Sequence, residues 1–355
     1  GGAAAAPRLA LRLPLRRVKP TLLSLLADPA GGGALAVDDG ALVAADGTRY
    51  EIRDGIARLA DPAGSGQQDA FDTFSWKWTH VSPEEIDQRV AAQYAWYDKR
   101  YGLDGDDGLA ALLAGRQRIL EAGTGLGGDA ARFARLAPHA QVVAIDLSKA
   151  IEVAARRFGG PENLHYVQAD IMHLPFAPGT FDFISAEQVI HHTPDAELAF
   201  AELAARLAPG GLFAAYLYKV KAPLRELADD WIRERATVMQ PDEAMELGHD
   251  LAELGRELQR VGGTVTLQRG VPLLGIQAGE HDVQRLIYWT LLKCFWNDDF
   301  SPNLNALVNY DWYAPLHASR HTPEEVHGWC AAAGLQVDRI DVGDAAISVL
   351  ARRPA

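Results

Sequence analysis

Glu121, Gly123, Thr124, Gly125 and Gly128 stand within "RILEAGTGLGGDAARFARL", where an acidic side chain precedes a turn containing four glycines. Gly123, Gly125 and Gly128 have the spacing of a loop that lets backbone approach a bound cofactor, and Asp146 ends the next apolar run. A dinucleotide would set its pyrophosphate near the following helix N-terminus, where the Glu121 carboxylate repels it. A ligand bearing an ammonium and a sulfonium suits the same carboxylate. Asp146, followed by Leu147 in "VVAIDLS", can accept hydrogen bonds from both hydroxyls of a ribose. Asp170 in "VQADIMHLPF" is followed by Ile171 and Met172, a carboxylate and an apolar surface that suit the amine and flat face of an adenine. These features favour S-adenosylmethionine over a nicotinamide cofactor.

His191 and His192, in "QVIHHTPD", fall at the end of another strand-length apolar run. An imidazole there could take a proton from an acceptor hydroxyl or amine, or could order the loop. Further along, "NALVNYDWYAPLHASRHTPEEV" gathers Tyr310, Asp311, Trp312, Tyr313, His317, Arg320 and His321 before a helix start. Read as a loop, this stretch supplies an acceptor wall, with Tyr310 and Arg320 as its working side chains, or a structural latch. Arg225, in "APLRELADDWIRER", could hold an acceptor carboxylate, or could belong to a solvated helical face with ion pairs at i, i+4 spacing. Trp76, Trp78, Tyr94 and Tyr97 precede the glycine turn and read as a helical segment that closes over the cofactor, or as packing.

The elements that must position these side chains follow from pattern. From residue 117, short continuous apolar runs alternate with helix-like segments: "QRILEAG", "QVVAIDLS", "LHYVQAD", "FDFISAEQVI" and "GGLFAAYLY". Such alternation means a mostly parallel sheet covered by helices on both faces, an α/β fold. Two final strands, "LQVDRIDV" and "AAISVLARR", close the chain. The expected division is a poorly ordered arm over 1–20, a small β-rich unit over 21–66 and a helical lid over 67–116. A cofactor-binding core over 117–219, a helical insertion on the acceptor side over 220–305, and the acceptor loop with the final strands over 306–355 complete it. "SPEE" and "TPEE" are helix starts with capping chemistry.

The four motifs together, over roughly residues 117 to 218, resemble the class I, Rossmann-like, S-adenosylmethionine-dependent methyltransferases. The resemblance implies that Glu121, Gly123 and Gly125 hold the methionine portion, with Thr124 where that family carries Cys or Ser. It implies Asp146 and Leu147 at the ribose, Asp170 and Ile171 at the adenine, and Glu187 and Gln188 near the methyl. Residues 21 to 62 resemble the small zinc-ribbon-like domain that activates tRNA and release-factor methyltransferases. Here "ADPAGGG" stands where a Cys-x-x-Cys-like pair is expected, and the segment has neither Cys nor His, so no metal is expected. The resemblance then implies a metal-free unit held by its core alone.

The chain of 355 residues has a formal net charge of −13, and no Lys/Arg-rich run, which argues against nucleic acid as a partner. Its two cysteines, Cys294 and Cys330, are too few for a disulfide framework, and no run of about 18 apolar residues marks a membrane span. A cytoplasmic biosynthetic transferase is expected, moving a methyl to O or N of a small molecule or short peptide, with a homo-dimer left open. The rivals are a protein or tRNA methyltransferase and a non-catalytic partner that keeps the fold.

Overall fold

The computed structural model describes residues 18–355. The expected arm over 1–20 therefore falls largely outside the described residues. Its last three lie inside them: Val18 is buried, and the short helix α1 (Pro20–Leu23) begins at Pro20. Four short strands follow, β1 (Ala36–Asp38), β2 (Ala41–Val43), β3 (Arg49–Arg53) and β4 (Ile56–Arg58), joined by turns in which Asp39, Gly40, Asp54 and Gly55 have positive φ. Asp-Gly pairs supply that conformation at low cost, and so set the hairpin registers.

Three helices then lead to the core: α2 (Gln68–Thr79), α3 (Pro83–Tyr101) and α4 (Gly105–Leu113). Ser82 and Glu85 form the reciprocal cap expected from "SPEE", and the chain leaves α3 through Gly102 at φ +67°. Next, β5 (Arg118–Ala122), α5 (Gly128–Leu136), β6 (Gln141–Asp146), α6 (Ala150–Phe158), β7 (Leu164–Gln168), β8 (Phe181–Ala186), α7 (Ala196–Ala205) and β9 (Leu207–Tyr218) alternate as expected. Apart from Arg118, Gln141 and Asp182, every residue of β5, β6, β7 and β8 is buried. That is the burial of strands covered on both faces, and it explains their predominantly apolar character.

The insertion comprises α8 (Pro223–Ala236), α9 (Pro241–Val261), β10 (Thr264–Leu267), β11 (Gly279–Asp282), α10 (Val283–Thr290) and α11 (Pro302–Tyr313). The segment over 220–305, expected to be helical, thus contains a separate two-stranded hairpin of β10 and β11, whose exposed residues give little periodic signal. The stretch expected as a loop from Tyr310 is a second correction, because Tyr310 to Tyr313 form the last turn of α11. Two asparagines four residues apart argue locally against a helix. Both are fully buried, and their side chains instead bond backbone outside the helix: Asn305 accepts from the Asn297 amide at 2.7 Å and Asn309 from the Phe295 amide at 2.8 Å. Gly248 lets α9 and α11 touch, since a Cβ there would lie 2.7 Å from the Ala306 carbonyl oxygen.

The chain ends with α12 (Pro323–Ala332), β12 (Gln336–Val342) and β13 (Ala346–Arg352). One sheet of eleven strands results, in the order β1-β2-β3-β4-β7-β6-β5-β8-β9-β13-β12. Strands β7, β6, β5, β8 and β9 pair in parallel, and β13 enters antiparallel between β9 and β12. The N-terminal unit is not held by a core of its own. Strand β4 pairs in parallel with β7, and Leu22, Leu26, Leu42 and Leu59 pack in one cluster with Val143, Ile145 and Val167. Arg58 fastens the join, donating to Glu152 at 3.0 Å and Gln168 at 3.1 Å.

Leu42 is fully buried in that shared cluster. Leu42→Ala should cost about 2–4 kcal/mol, the range for a buried leucine that leaves a cavity. Denaturant unfolding followed by fluorescence and by circular dichroism should show one transition shifted in both signals. An early, separate transition confined to the N-terminal unit would contradict a shared core.

Candidate functional site

The carboxyl ends of β5, β6, β7 and β8 open onto one cavity, roofed by α2 and α3. Glu121, Gly123, Thr124, Gly125, Asp146, Leu147, Asp170, Ile171, Glu187 and Gln188 all line it. Strand ends converge there because a parallel sheet places each turn-bound polar residue at the same edge. Gly123 has φ +72°, and a Cβ on it would lie 2.5 Å from the side chain of Val189, so the turn admits only glycine.

Negative charge dominates the floor. Glu121 is buried and accepts from the Thr124 hydroxyl. Asp129, in the first turn of α5, is also buried; Gln93 donates to one of its oxygens at 3.1 Å, and the other has no partner among the described residues. Burial pushes both carboxyls up, reinforced at Glu121 by Asp129 and at Asp129 by Glu187, which carries Asp129 to about 6. A cationic ligand relieves that repulsion. Asp146 is held by the Gly125 amide at 2.9 Å and by Ser148 through its amide at 2.8 Å and hydroxyl at 2.6 Å. Burial still raises its carboxyl. Asp170 is more fully engaged, accepting from the Met172 amide at 2.8 Å, His173 at 3.0 Å and Gln67 at 2.5 Å. Glu187 takes Arg100 and Tyr101, each at 2.5 Å.

The roof brings residues that pattern did not single out. Lys77 is buried in α2, bonded to Asp311 at 2.6 Å and lying 3.8 Å from the Trp78 ring centre. Burial lowers the Lys77 ammonium, while Asp311 opposes that shift. Phe74 and Trp78 line the cavity; Trp76 instead stacks on Tyr310, and the Tyr94 and Tyr97 hydroxyls bond Gly128 and Ser185. Gln67, Arg89, Gln93 and Asp129 could have been suspected only as polar residues in an otherwise packed lid or at a helix start.

The two histidines part company. His191 is fully buried, stacked 3.6 Å from Tyr218, and lines neither this cavity nor the second one that adjoins it. His192 lines the first cavity. Its Nδ1 lies 2.8 Å from the His317 carbonyl, which can only accept, so Nδ1 carries the proton and Nε2 is left an unpartnered acceptor. Burial lowers its imidazole to about 4.

Tyr310 and Arg320, expected as acceptor-wall residues, lie at neither cavity. Tyr310 is buried between α9 and α11, and Arg320 is tied to Glu226 at 2.8 Å and to Asp230. Arg225 also departs from its sharper reading. It is buried, with Asp229 at 2.8 Å and the Tyr288 carbonyl as partners, and Asp229 in turn accepts from Trp312 and Tyr313 at 2.8 Å each. Within that stretch it is Asp311 that reaches the cavity.

A second cavity of about 530 Å³ adjoins the first, and Arg89, Gln188 and Asp311 line both. Gln188 sits at φ +56°, a conformation a non-glycine residue holds only when its surroundings enforce it, and here it turns the chain at that junction.

Residues 120–215 match the family model described as a methyltransferase domain. An uncharacterised protein from Synechococcus is 33% identical over 156 residues, 41% of this chain and 37% of that protein. A malonyl-[acyl-carrier protein] O-methyltransferase from Legionella pneumophila is 41% identical over 96 residues, 27% of this chain and 34% of that enzyme. The chain thus spans about a third of the length of these curated relatives. Among solved structures, a 1,6-didemethyltoxoflavin N1-methyltransferase from Burkholderia thailandensis, with S-adenosylhomocysteine bound, aligns over 90% of this chain and 98% of that one, at 15% identity and a TM-score of 0.41. Residues 120–215 are a methyltransferase domain by the family match, laid on a mostly parallel α/β sheet, and S-adenosylmethionine is the cofactor it implies. The orphaned oxygen of Asp129 beside Glu121 fits the cations of that ligand. No helix of the described residues is long and apolar enough to cross a membrane.

His192 gives a testable pH dependence. Its folded pKa lies below the unfolded value of 6.5, so between pH 6.5 and about 4 the unfolded chain binds a proton that the folded chain refuses. Stability should fall over that window by about 3 kcal/mol from this group, and His192→Gln should flatten the slope. Denaturation midpoints at pH 7, 5.5 and 4.5 measure it; equal slopes in both chains would remove His192 as the cause.

Proposed function

We propose that the chain transfers a methyl group to an oxygen or nitrogen of a small molecule or short peptide in a biosynthetic setting. The observation that carries this reading is the pair of adjoining cavities, one acidic and one cationic, joined at Arg89, Gln188 and Asp311. S-adenosylmethionine supplies an electrophilic methyl on a positively charged sulfur.

The residues divide the remaining work. Glu121 and Asp129 bind positive charge, Asp146 accepts from ribose hydroxyls, and Ile171 offers an apolar face to the base. Trp78 and Phe74, carried by α2, exclude water from above. His192 Nε2 orients the acceptor by accepting its proton in a hydrogen bond. An imidazole lowered to about 4 is a poor base at neutral pH, so an acceptor that is already nucleophilic, or that loses its proton to water, suits this site best. Positioning and desolvation then supply most of the rate.

The N-terminal unit, resembling a methyltransferase activator domain, serves as a built-in extension of the sheet edge, with β4 bonded to β7. A cytoplasmic location accords with free, buried Cys294 and Cys330. A non-catalytic partner would have no need of a buried acidic floor that is costly without its cation.

Asp146→Ala should weaken S-adenosylmethionine binding by about 1–3 kcal/mol, the cost of losing hydrogen bonds to a charged acceptor. Because Glu121 and Asp129 have raised carboxyls, cation binding should ionise them and release protons. Calorimetry in two buffers of different ionisation enthalpy reads the release, and Asp129→Asn should reduce it. Wild-type affinity in Asp146→Ala, or binding without proton release, would undo these assignments. Methyl transfer itself is tested with labelled S-adenosylmethionine against a metabolite panel.

A further inference from the structure

The second cavity is walled by β9, β13, α8, α10, α11 and the inner face of α3. Four arginines and three lysines line it against three aspartates, in a chain whose acidic residues outnumber its basic ones by 47 to 34. Two of these cations are already spent. Arg100 is paired with Glu187, and Arg225 with Asp229.

The others are not neutralised. Lys293 is 5% exposed, lines the cavity, and its ammonium has neither an ion pair nor a hydrogen bond among the described residues. It lies 4.8 Å from the Trp312 ring centre. Lys221 lies 5.4 Å from the same ring and donates only to the carbonyls of Lys219 and Ala345. Among the described residues, Arg285, on the open rim, has no ion pair, and one terminal nitrogen of Arg89 is buried without a partner. A buried cation without a counter-charge is costly, and proteins keep one where a ligand completes it. Burial, reinforced by Arg225, pushes the Lys293 ammonium down to about 7 and that of Lys221 to about 6, the direction an incoming anion would reverse.

The remaining walls are flat. Tyr218, Tyr288, Trp289, Phe295 and Trp312 surround the same space, and 530 Å³ falls within the range of sites that enclose a small organic molecule. We propose that this cavity is the acceptor site and that the acceptor is a planar aromatic molecule bearing one anionic group, held by Lys293 and Lys221 with Arg285 at the rim. Its reactive atom would sit at the opposite end, by Arg89, Gln188 and Asp311, where the two cavities meet. The sequence suggested Arg225 as the anion holder; the structure transfers that role to Lys293, because Arg225 already has its carboxylate. The proposal rests on the methyltransferase reading of the first cavity.

The test uses 2-naphthoate and its neutral counterpart 2-naphthamide as probes, titrated calorimetrically into the full chain saturated with S-adenosylhomocysteine. Naphthoate should bind at least tenfold more tightly than naphthamide. Lys293→Met should remove that tenfold preference and leave naphthamide and S-adenosylhomocysteine affinities unchanged, and Lys293→Arg should restore most of it. If Lys293→Met does not fold, Arg285→Ala at the exposed rim reads the same preference, with a loss of about threefold. Equal binding of the two probes, no binding of naphthoate, or an unchanged preference in the variants would overturn the proposal while S-adenosylhomocysteine binding kept the first cavity's reading intact. Failure of the wild-type chain to bind S-adenosylhomocysteine would overturn both.

Discussion

The burial of several carboxylates around one point is the constraint on which the rest of this structure turns. Glu121, Asp129, Asp146, Asp170 and Glu187 are all less than a tenth exposed and share one cavity. Each would prefer water, and each is kept in place by a specific set of donors: Thr124, Gln93, Gly125 and Ser148, Gln67 and His173, Arg100 and Tyr101. Several of those donors come from the lid helices, not from the sheet. The acidic floor and its cover are thus one electrostatic unit, with donors from above offsetting part of the desolvation from below.

That coupling explains why the lid is attached where it is. Lys77 in α2 meets Asp311 in α11, linking the roof of the first cavity to the helical insertion that walls the second. Burial pushes the Asp311 carboxyl up, but the Lys77 ammonium bonded to it outweighs that and holds it below the ordinary range. An uncompensated partner on either side would leave a buried charge, so the two cavities are locked in register by an ion pair that neither could discard. Arg225, Asp229, Trp312 and Tyr313 form a comparable closed set one turn further on, which stiffens the wall between α8 and α11.

The charge of the two cavities is opposite while they share three residues. A cationic ligand on one side and an anionic one on the other would each be attracted to its own chamber and repelled from the neighbour's, an arrangement that favours orientation over raw affinity. In this picture Arg89 and Asp311 are the divide between the fields, and Gln188, held in a left-handed conformation, is the neutral contact both chambers share.

Much of this was written locally. The short, mostly apolar runs of β5 to β8, alternating with helices, read as strands buried on both faces, and the glycines at 123 and 125 with Asp146 and Asp170 mark successive strand ends, where a parallel sheet meets its ligand. "SPEE" and "TPEE" became capped helices because a cap is satisfied within four residues. What distance in sequence concealed was pairing. Nothing near Arg225 reveals that Trp312 and Tyr313, more than eighty residues away, complete its carboxylate partner, or that Asn305 and Asn309 hold a helix together by bonding backbone outside it. The attachment of the N-terminal strands to β7, the sheltering of Tyr310, and the solitude of Lys293 were likewise decided only when the chain closed. Local propensity and spacing settle which elements form, whereas which charge finds its partner, and which is left facing a cavity, depends on packing between elements that the sequence does not place side by side.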